Sequence, residues 1–226
     1  MSGQTAVVVG ATGMIGNLVV QELITDEAFR TIRVLVRKVV VFASPKVEVK
    51  VVNFDDAEDI AQKLGSGDSI FCCVGTTQSK VKGDPEAYRK VDFHLPLNVA
   101  KQGLKNGFDS FSLVSAVGAN ARSKNFYLKL KGETEEALKA VHMPSMHIFQ
   151  PSLLMGKRTE FRITEKFAQA LFPVFAIFFA GALKKYKPVK AIEVAQAMIS
   201  CAKTAIPGFH VYSFENIRKL ARHKTR

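Results

Sequence analysis

Along the chain, apolar and polar positions switch between two periods. Short β-branched runs of strand length recur, and between them apolar residues fall at the three-to-four spacing of a helix face. Residues 5–10 form the first such run and 14–24 the first helix. A second strand is predicted over 33–37, and a third over 46–54 whose alternation leaves one face partly exposed. A short helix over 56–64 precedes a fourth strand at 69–74. A long helical stretch runs from 85 to 106, with Pro96 as a kink or break, because proline lacks an N–H and crowds the preceding turn. A fifth strand at 110–115, a helix at 127–141 and a sixth strand at 146–149 continue the rhythm. Apolar strands separated by helices imply a parallel sheet covered on both faces, and right-handed crossovers make it doubly wound. The expected fold is an α/β, Rossmann-type doubly wound sheet.

After Pro151 the rhythm changes. Helices are expected at 161–172 and 192–202, a late edge strand at 209–214 and a basic helix at 215–222. Without linker or repeat, residues 1–226 read as one domain, in which 151–226 contributes a small helical substrate lid or pocket wall. The phenylalanine-rich run at 167–183 approaches the length of a membrane span and is followed by Lys184, Lys185 and Lys187. Gln169, Pro173 and Gly181 interrupt it, so a core or lid helix is expected rather than a transmembrane segment, with weak membrane-surface contact as the alternative. At the N-terminus the apolar run at 6–9 is too short for a secretory signal.

Composition adds bounds rather than detail. Apolar residues make up 47% of the 226 and charged residues 23%, which is ordinary for a globular protein and excludes disorder. The net charge of +12 is spread over several segments instead of one groove-reading element. This speaks against nucleic acid and for attraction of an anionic cofactor or substrate. Cys72 and Cys73 are vicinal in a strand, where they face opposite sides, and Cys201 is remote. Neither the cysteines nor His94, His142, His147, His210 and His223 show metal-ligand spacing. Reduced thiols, no metal and a cytoplasmic location are the expectation.

The chemistry begins at the first turn. Gly10, Gly13 and Gly16 lie between the first strand and the first helix, with Thr12, Met14 and Ile15 among them. Gly10 permits the sharp turn, Gly13 lets the backbone approach a pyrophosphate, and Gly16 lets helix and strand pack closely. The helix N-terminus then offers free N–H groups and its positive dipole end to phosphates. No Gly-Lys-Ser/Thr closes the motif, which excludes a kinase-type loop. About 20 residues on, NAD-specific folds place an acid on the adenosine ribose. Here Arg37 and Lys38 stand at that strand end, and a guanidinium can pair with the 2′-phosphate of NADPH. Asp55 is either an acceptor for the adenine amino group or the cap of the following helix. Gly75 and Thr76 follow the fourth strand, where a small residue would let a cofactor ribose lie close.

Ser115 ends the fifth strand, and Tyr127 and Lys131 share one face of the next helix at i and i+4. An ammonium beside a phenol lowers its pKa, which suits proton transfer, and Ser115 could hold a carbonyl oxygen as hydride arrives. Glu133, Glu135 and Glu136 read as a solvated helix face.

Together, the glycine loop, the Cys73-Val-Gly-Thr-Thr77 strand end, Ser115 and Tyr127-x-x-x-Lys131 resemble the short-chain dehydrogenase/reductase superfamily. Residues 113–116, 127–133 and 150–156 resemble its atypical branch, which includes the HIV Tat-interacting oxidoreductase-like and NmrA-like NAD(P)H-binding proteins. The resemblance implies Ser115, Tyr127 and Lys131 as the triad, Pro151 and Ser152 near the nicotinamide carboxamide, and a substrate pocket after Pro151. The superfamily's fourth catalytic residue, an asparagine in the preceding helix, has no convincing counterpart; Asn98 lies on the right helix. The function this predicts is NADPH-dependent hydride transfer to a small, fairly apolar carbonyl compound. The alternative is an NADPH-binding, redox-sensing regulator. A nucleotide-sugar epimerase is disfavoured because the chain leaves little room for a larger substrate domain.

Overall fold

The structure, a computed structural model of the full chain, describes residues 3–77, 81–155 and 186–223. The strands are β1 Gln4–Val9, β2 Phe29–Val36, β3 Val47–Val51, β4 Ser69–Cys72, β5 Ser110–Val114, β6 Ser145–Phe149, β7 Leu154–Met155, β8 Val189–Lys190 and β9 Gly208–Tyr212. The helices, numbered here in chain order, are α1 Met14–Thr25, α2 Ala57–Leu64, α3 Pro85–Arg89, α4 Leu95–Lys105, α5 Phe126–Lys139, α6 Ala191–Thr204 and α7 Phe214–His223. A π-helical turn, Lys90–His94, joins α3 to α4.

Seven strands form one sheet in the order β3-β2-β1-β4-β5-β6-β9, and every pairing in it is parallel. The order reverses between β1 and β4, so the carboxyl ends of these two strands mark the crevice where doubly wound sheets bind ligands. Strand alternation splits the core in two. Ala6 and Val8 face one way, with Phe71 and Phe149, against α1, α6 and α7. Val7 and Val9 face the other, with Ile70, Phe111 and Leu113, against Ile60 and Leu64 of α2, Val99 and Ala100 of α4, and Leu138 of α5. Cys72 belongs to the second face and Cys73 packs against the first, as their vicinal strand positions require.

Two elements depart from the sequence pattern, and one between them follows it. β2 begins at Phe29, ahead of the predicted 33, because Phe29 and Ile32 are fully buried and Arg30 points out. β9 is the late edge strand expected at 209–214, and it pairs parallel with β6 at the end of the sheet. The C-terminal helices are present, and α6 is built into the main core: Val194, Ala195, Met198 and Ile199 are fully buried in the cluster that holds α1. The lid segments predicted at 161–172 and 167–183 lie outside the described residues. Among the described residues no helix is long and apolar enough to cross a membrane.

The long helical stretch shows what Pro96 does. Backbone angles stay helical through Arg89 and Leu95, so the chain passes from α3 to α4 through a widened turn without a break. Pro96 has no N–H to give the carbonyl of Asp92, one turn earlier. The hydroxyl of Thr134 on α5 sits 3.1 Å from that carbonyl and 2.8 Å from its own Leu130 carbonyl, sharing its hydrogen between them. The turn therefore joins α5 at Asp92.

Candidate active site

The glycine loop has the close contacts its motif implies. Gly10 has φ +85°, and a Cβ there would sit 2.7 Å from the backbone of Cys73. A Cβ on Gly16 would overlap the Gly10 carbonyl. Only glycine lets β1, the start of α1 and the end of β4 approach this closely. Gly13 is the N-cap of α1 in an extended conformation, with no side-chain cap and no acid in the first turn. The first-turn N–H groups thus meet no competing carboxylate, which suits an anion. Thr12 is exposed, Met14 half-buried and Ile15 buried in the core, so Ile15 reaches the loop's mouth through its backbone alone.

Arg37 and Lys38 are exposed immediately after β2, at the carboxyl edge next to the glycine loop. Asp55 is not the cap of α2. That role falls to Asp56, whose carboxylate accepts from the N–H groups of Glu58 and Asp59. Asp55 instead pairs with Lys90 at 2.7 Å, both exposed. Gly75 is exposed, and a Cβ there would touch only Asp92, at 3.7 Å, so the space above it is open. Both backbone groups of Thr76 are engaged: its N–H donates to Asp92 at 2.9 Å and its carbonyl accepts from Tyr88 at 3.1 Å. An uncapped helix start beside this open strand end fits a dinucleotide.

Asp92 was not foreseen, and it organises the site. Its other oxygen lies 2.7 Å from Nζ of Lys131, and the two side chains are 1% and 5% exposed. Burial pushes the Lys131 ammonium down, but the Asp92 carboxylate overcomes it, and the pKa ends above lysine's ordinary value. The pairing changes the chemistry expected of Tyr127. Lys131 does lie over its ring, 5.9 Å from the centroid. Burial nevertheless raises the phenol pKa; Lys131 opposes this, and Asp92 adds to it. The expected lowering of the tyrosine pKa is therefore corrected: a lysine already neutralised by Asp92 does not overcome the loss of solvent. Tyr127 is held as a neutral phenol, edge-on to Tyr88 with ring centroids 6.2 Å apart.

Ser115 is 5% exposed at the end of β5 and donates its hydroxyl to Glu135, on α5 one turn beyond Lys131. Gln150, just past β6, donates to both oxygens of the same carboxylate at 2.9 and 3.0 Å. The solvated glutamate face is a further correction. Glu133 pairs with Arg89 at 2.6 Å and Glu135 is drawn into the site; only Glu136 is exposed. Beyond Gln150, Pro151 is buried and accepts from the N–H of Val117 at 3.0 Å. The hydroxyl of Ser152 is taken by the Lys187 carbonyl. The structure thus gathers Tyr127, Lys131 and Asp92 in one contact group, and Ser115, Glu135 and Gln150 in the adjoining one. Asn98, half-buried on α4, is in neither group, and Asp92 occupies the preceding helix's position against Lys131. The available signals were slight: Pro96 four residues after Asp92, and Glu135 four after Lys131.

Residues 10–205 match the model of a family described as NAD(P)H-binding. The mitochondrial protein FMP52 of Candida albicans is 30% identical over 207 residues, covering 89% of each chain. Protein HTATIP2 of Rattus norvegicus is 29% identical over 175 residues, 76% of this chain and 72% of the relative. Among solved structures, UDP-N-acetylglucosamine 4-epimerase from Bacillus cereus superposes with a TM-score of 0.70 at 18% identity, covering 94% of this chain and 78% of the enzyme. At that identity the likeness shows the fold alone. One expectation is overturned here: the cytoplasmic location does not stand, because relatives such as the Candida protein are named as mitochondrial. The glycine loop, the open strand end and the family match agree, and the chain belongs to the NAD(P)H-binding family, in the atypical short-chain dehydrogenase/reductase branch.

Proposed function

We propose that this protein is an NADPH-dependent oxidoreductase that reduces a small, fairly apolar carbonyl compound. One observation carries the reading: a chain of direct contacts joins the glycine loop to Lys131. Gly10 abuts the backbone after β4, Thr76 on that segment donates to Asp92, and Asp92 pairs with Lys131, which lies over Tyr127. The dinucleotide loop and the Tyr–Lys face are thereby built as one unit. Gly10, Gly13 and Gly16 would hold the pyrophosphate, and Arg37 and Lys38 the 2′-phosphate that distinguishes NADPH from NADH. When bound, the reduced nicotinamide supplies the hydride.

The protein's own residues supply the rest. Tyr127, kept protonated by burial, is suited to donate a proton to a carbonyl oxygen, which is the direction reduction needs. Lys131 has three N–H donors and Asp92 engages one side of the ammonium, leaving donors for a cofactor ribose. Ser115 is the group to hold the substrate oxygen. The test is NADPH oxidation against a panel of aldehydes, ketones and quinones, with cofactor binding measured in parallel. Tyr127→Phe should lower turnover by about 10²–10⁴-fold and leave NADPH affinity nearly unchanged. Lys131→Met should harm both. Turnover unaffected by Tyr127→Phe removes the tyrosine from the mechanism. Tight NADPH binding with no turnover on any substrate favours a redox-sensing regulator instead.

A further inference from the structure

Ser115 has one hydrogen, and Glu135 holds it. The serine Oγ donates to Oε1 of Glu135, while the Gln150 amide donates to both oxygens of that carboxylate at 2.9 and 3.0 Å. A hydroxyl whose hydrogen is engaged keeps its lone pairs and has no donor left. In this state Ser115 can accept a hydrogen bond from an alcohol and has nothing to offer a carbonyl oxygen.

We propose that Glu135 is the positioning residue of the site, and that its protonation reverses the Ser115 hydrogen bond and so selects between carbonyl and alcohol. The proposal rests on the oxidoreductase reading above. As a carboxylate, Glu135 takes the serine hydrogen. On taking up one proton from water, Glu135 gains an O–H bond and becomes the donor. Ser115 then accepts from it, and its own hydrogen turns to the substrate carbonyl oxygen. No electron moves in this step, and the proton returns to water when the carboxylate re-forms. Gln150 suits both states, because its N–H group can donate to a carboxylate oxygen or to the carbonyl oxygen of the acid.

Three elements present groups to this carboxyl: the end of β5 through Ser115, the segment after β6 through Gln150, and α5 itself through Lys131. Lys131 supplies the charge, and Asp92 already holds that ammonium at 2.7 Å. Burial raises the Glu135 carboxyl above the ordinary glutamate value of 4.5, against the bonds from Ser115 and Gln150 and the charge of Lys131. Its titration is thereby moved towards the neutral side of the carboxylate range.

A ¹³C NMR titration of the full chain, labelled at the glutamate carboxyls, tests the coupling with neither cofactor nor substrate; Glu135→Gln assigns the resonance. Glu135 should titrate above the ordinary glutamate value of 4.5. Ser115→Ala should push it higher, because the carboxylate loses a donor, and Ser115→Thr, which keeps the hydroxyl, should restore it. A midpoint that Ser115→Ala leaves in place overturns the proposal. In parallel, kcat/KM for carbonyl reduction should rise, and that for alcohol oxidation fall, as pH drops through the same midpoint. Glu135→Gln can donate its amide N–H to Ser115 at every pH, so it should flatten both profiles. A pH profile like wild type in that variant also overturns the proposal. The two readings fail separately: absence of turnover removes the oxidoreductase, while the carboxyl titration still decides whether Glu135 and Ser115 are coupled.

Discussion

Asp92 and Lys131 form a charge pair almost out of contact with water, and such a pair is held by reciprocity rather than by net gain. The attraction between the charges offsets the cost of removing both from solvent, so deleting one partner exposes the full cost of the other. Asp92→Asn preserves shape and can still accept from the Thr76 N–H, yet leaves the ammonium unpaired. It should destabilise the fold by about 3–5 kcal/mol at neutral pH in urea unfolding. The pH dependence has a definite sign. In wild type the folded pKa of Lys131 lies above the unfolded 10.5, so its contribution is fully present below that pH and is lost as pH rises through the folded value. In the variant the ammonium loses its paired carboxylate while burial still acts on it, which brings the folded pKa down. The penalty of the substitution should then shrink as pH is raised from neutral towards 10.5. A penalty constant over that range would mean that the lysine charge is not what Asp92 stabilises.

At the scale of elements, β6 and β9 are joined by a partly buried polar stack as well as by their ladder. His147 is fully buried on β6, ring-stacked on His210 and Tyr212 of β9. The Ser145 hydroxyl donates to the Ile206 carbonyl at 2.7 Å, so the His147 Nε2 at 2.8 Å donates to Ser145. Its Nδ1 is left to accept from the Tyr212 hydroxyl at 3.0 Å. Both ring nitrogens are satisfied in the neutral form. Burial, with the nearby His210, lowers the His147 pKa from 6.5 to about 4. Because the folded value is depressed, the stabilisation is present above 6.5 and is lost as pH falls towards 4. A shift of this size corresponds to on the order of 3 kcal/mol. Urea unfolding midpoints measured across that window should fall for wild type and flatten in His147→Gln. An identical acid slope in the variant would assign the loss to other groups. The π turn before Pro96 belongs to this scale too. A kink was legible in the sequence; the partner that receives the freed Asp92 carbonyl was not, since Thr134 lies on a helix two elements away.

For the whole molecule, ligand and fold share one crevice, at the reversal of strand order between β1 and β4. A dinucleotide bound there touches the folded chain and not the unfolded one, so it stabilises by mass action. NADPH at about 100 times its dissociation constant should add about 2.7 kcal/mol. For a chain of this size that is a rise in Tm of roughly 5–10 °C. NADH at the same concentration should give a smaller rise, and Arg37→Asp should narrow the gap by weakening the 2′-phosphate contact. Equal shifts in a thermal melt would remove Arg37 and Lys38 from cofactor selection.

The sequence by itself determined the alternation of strand and helix, the glycine loop and the Tyr127–Lys131 face. Each of these is a local property, set by side-chain period, by the absence of a Cβ or by helical spacing. The edge strand β9 was legible too, but the inward packing of α6 escaped it, because short apolar segments are alike whether they cover a pocket or complete a core. What only the tertiary structure decided is the charge and hydrogen-bond state of the site. Asp92, Glu135 and Gln150 come from three separate segments, and each acts through contacts that only folding brings together. Burial then sets the sign: the same lysine that would lower a tyrosine pKa in water is neutralised by an aspartate that folding alone brings to it, and the phenol moves up instead of down.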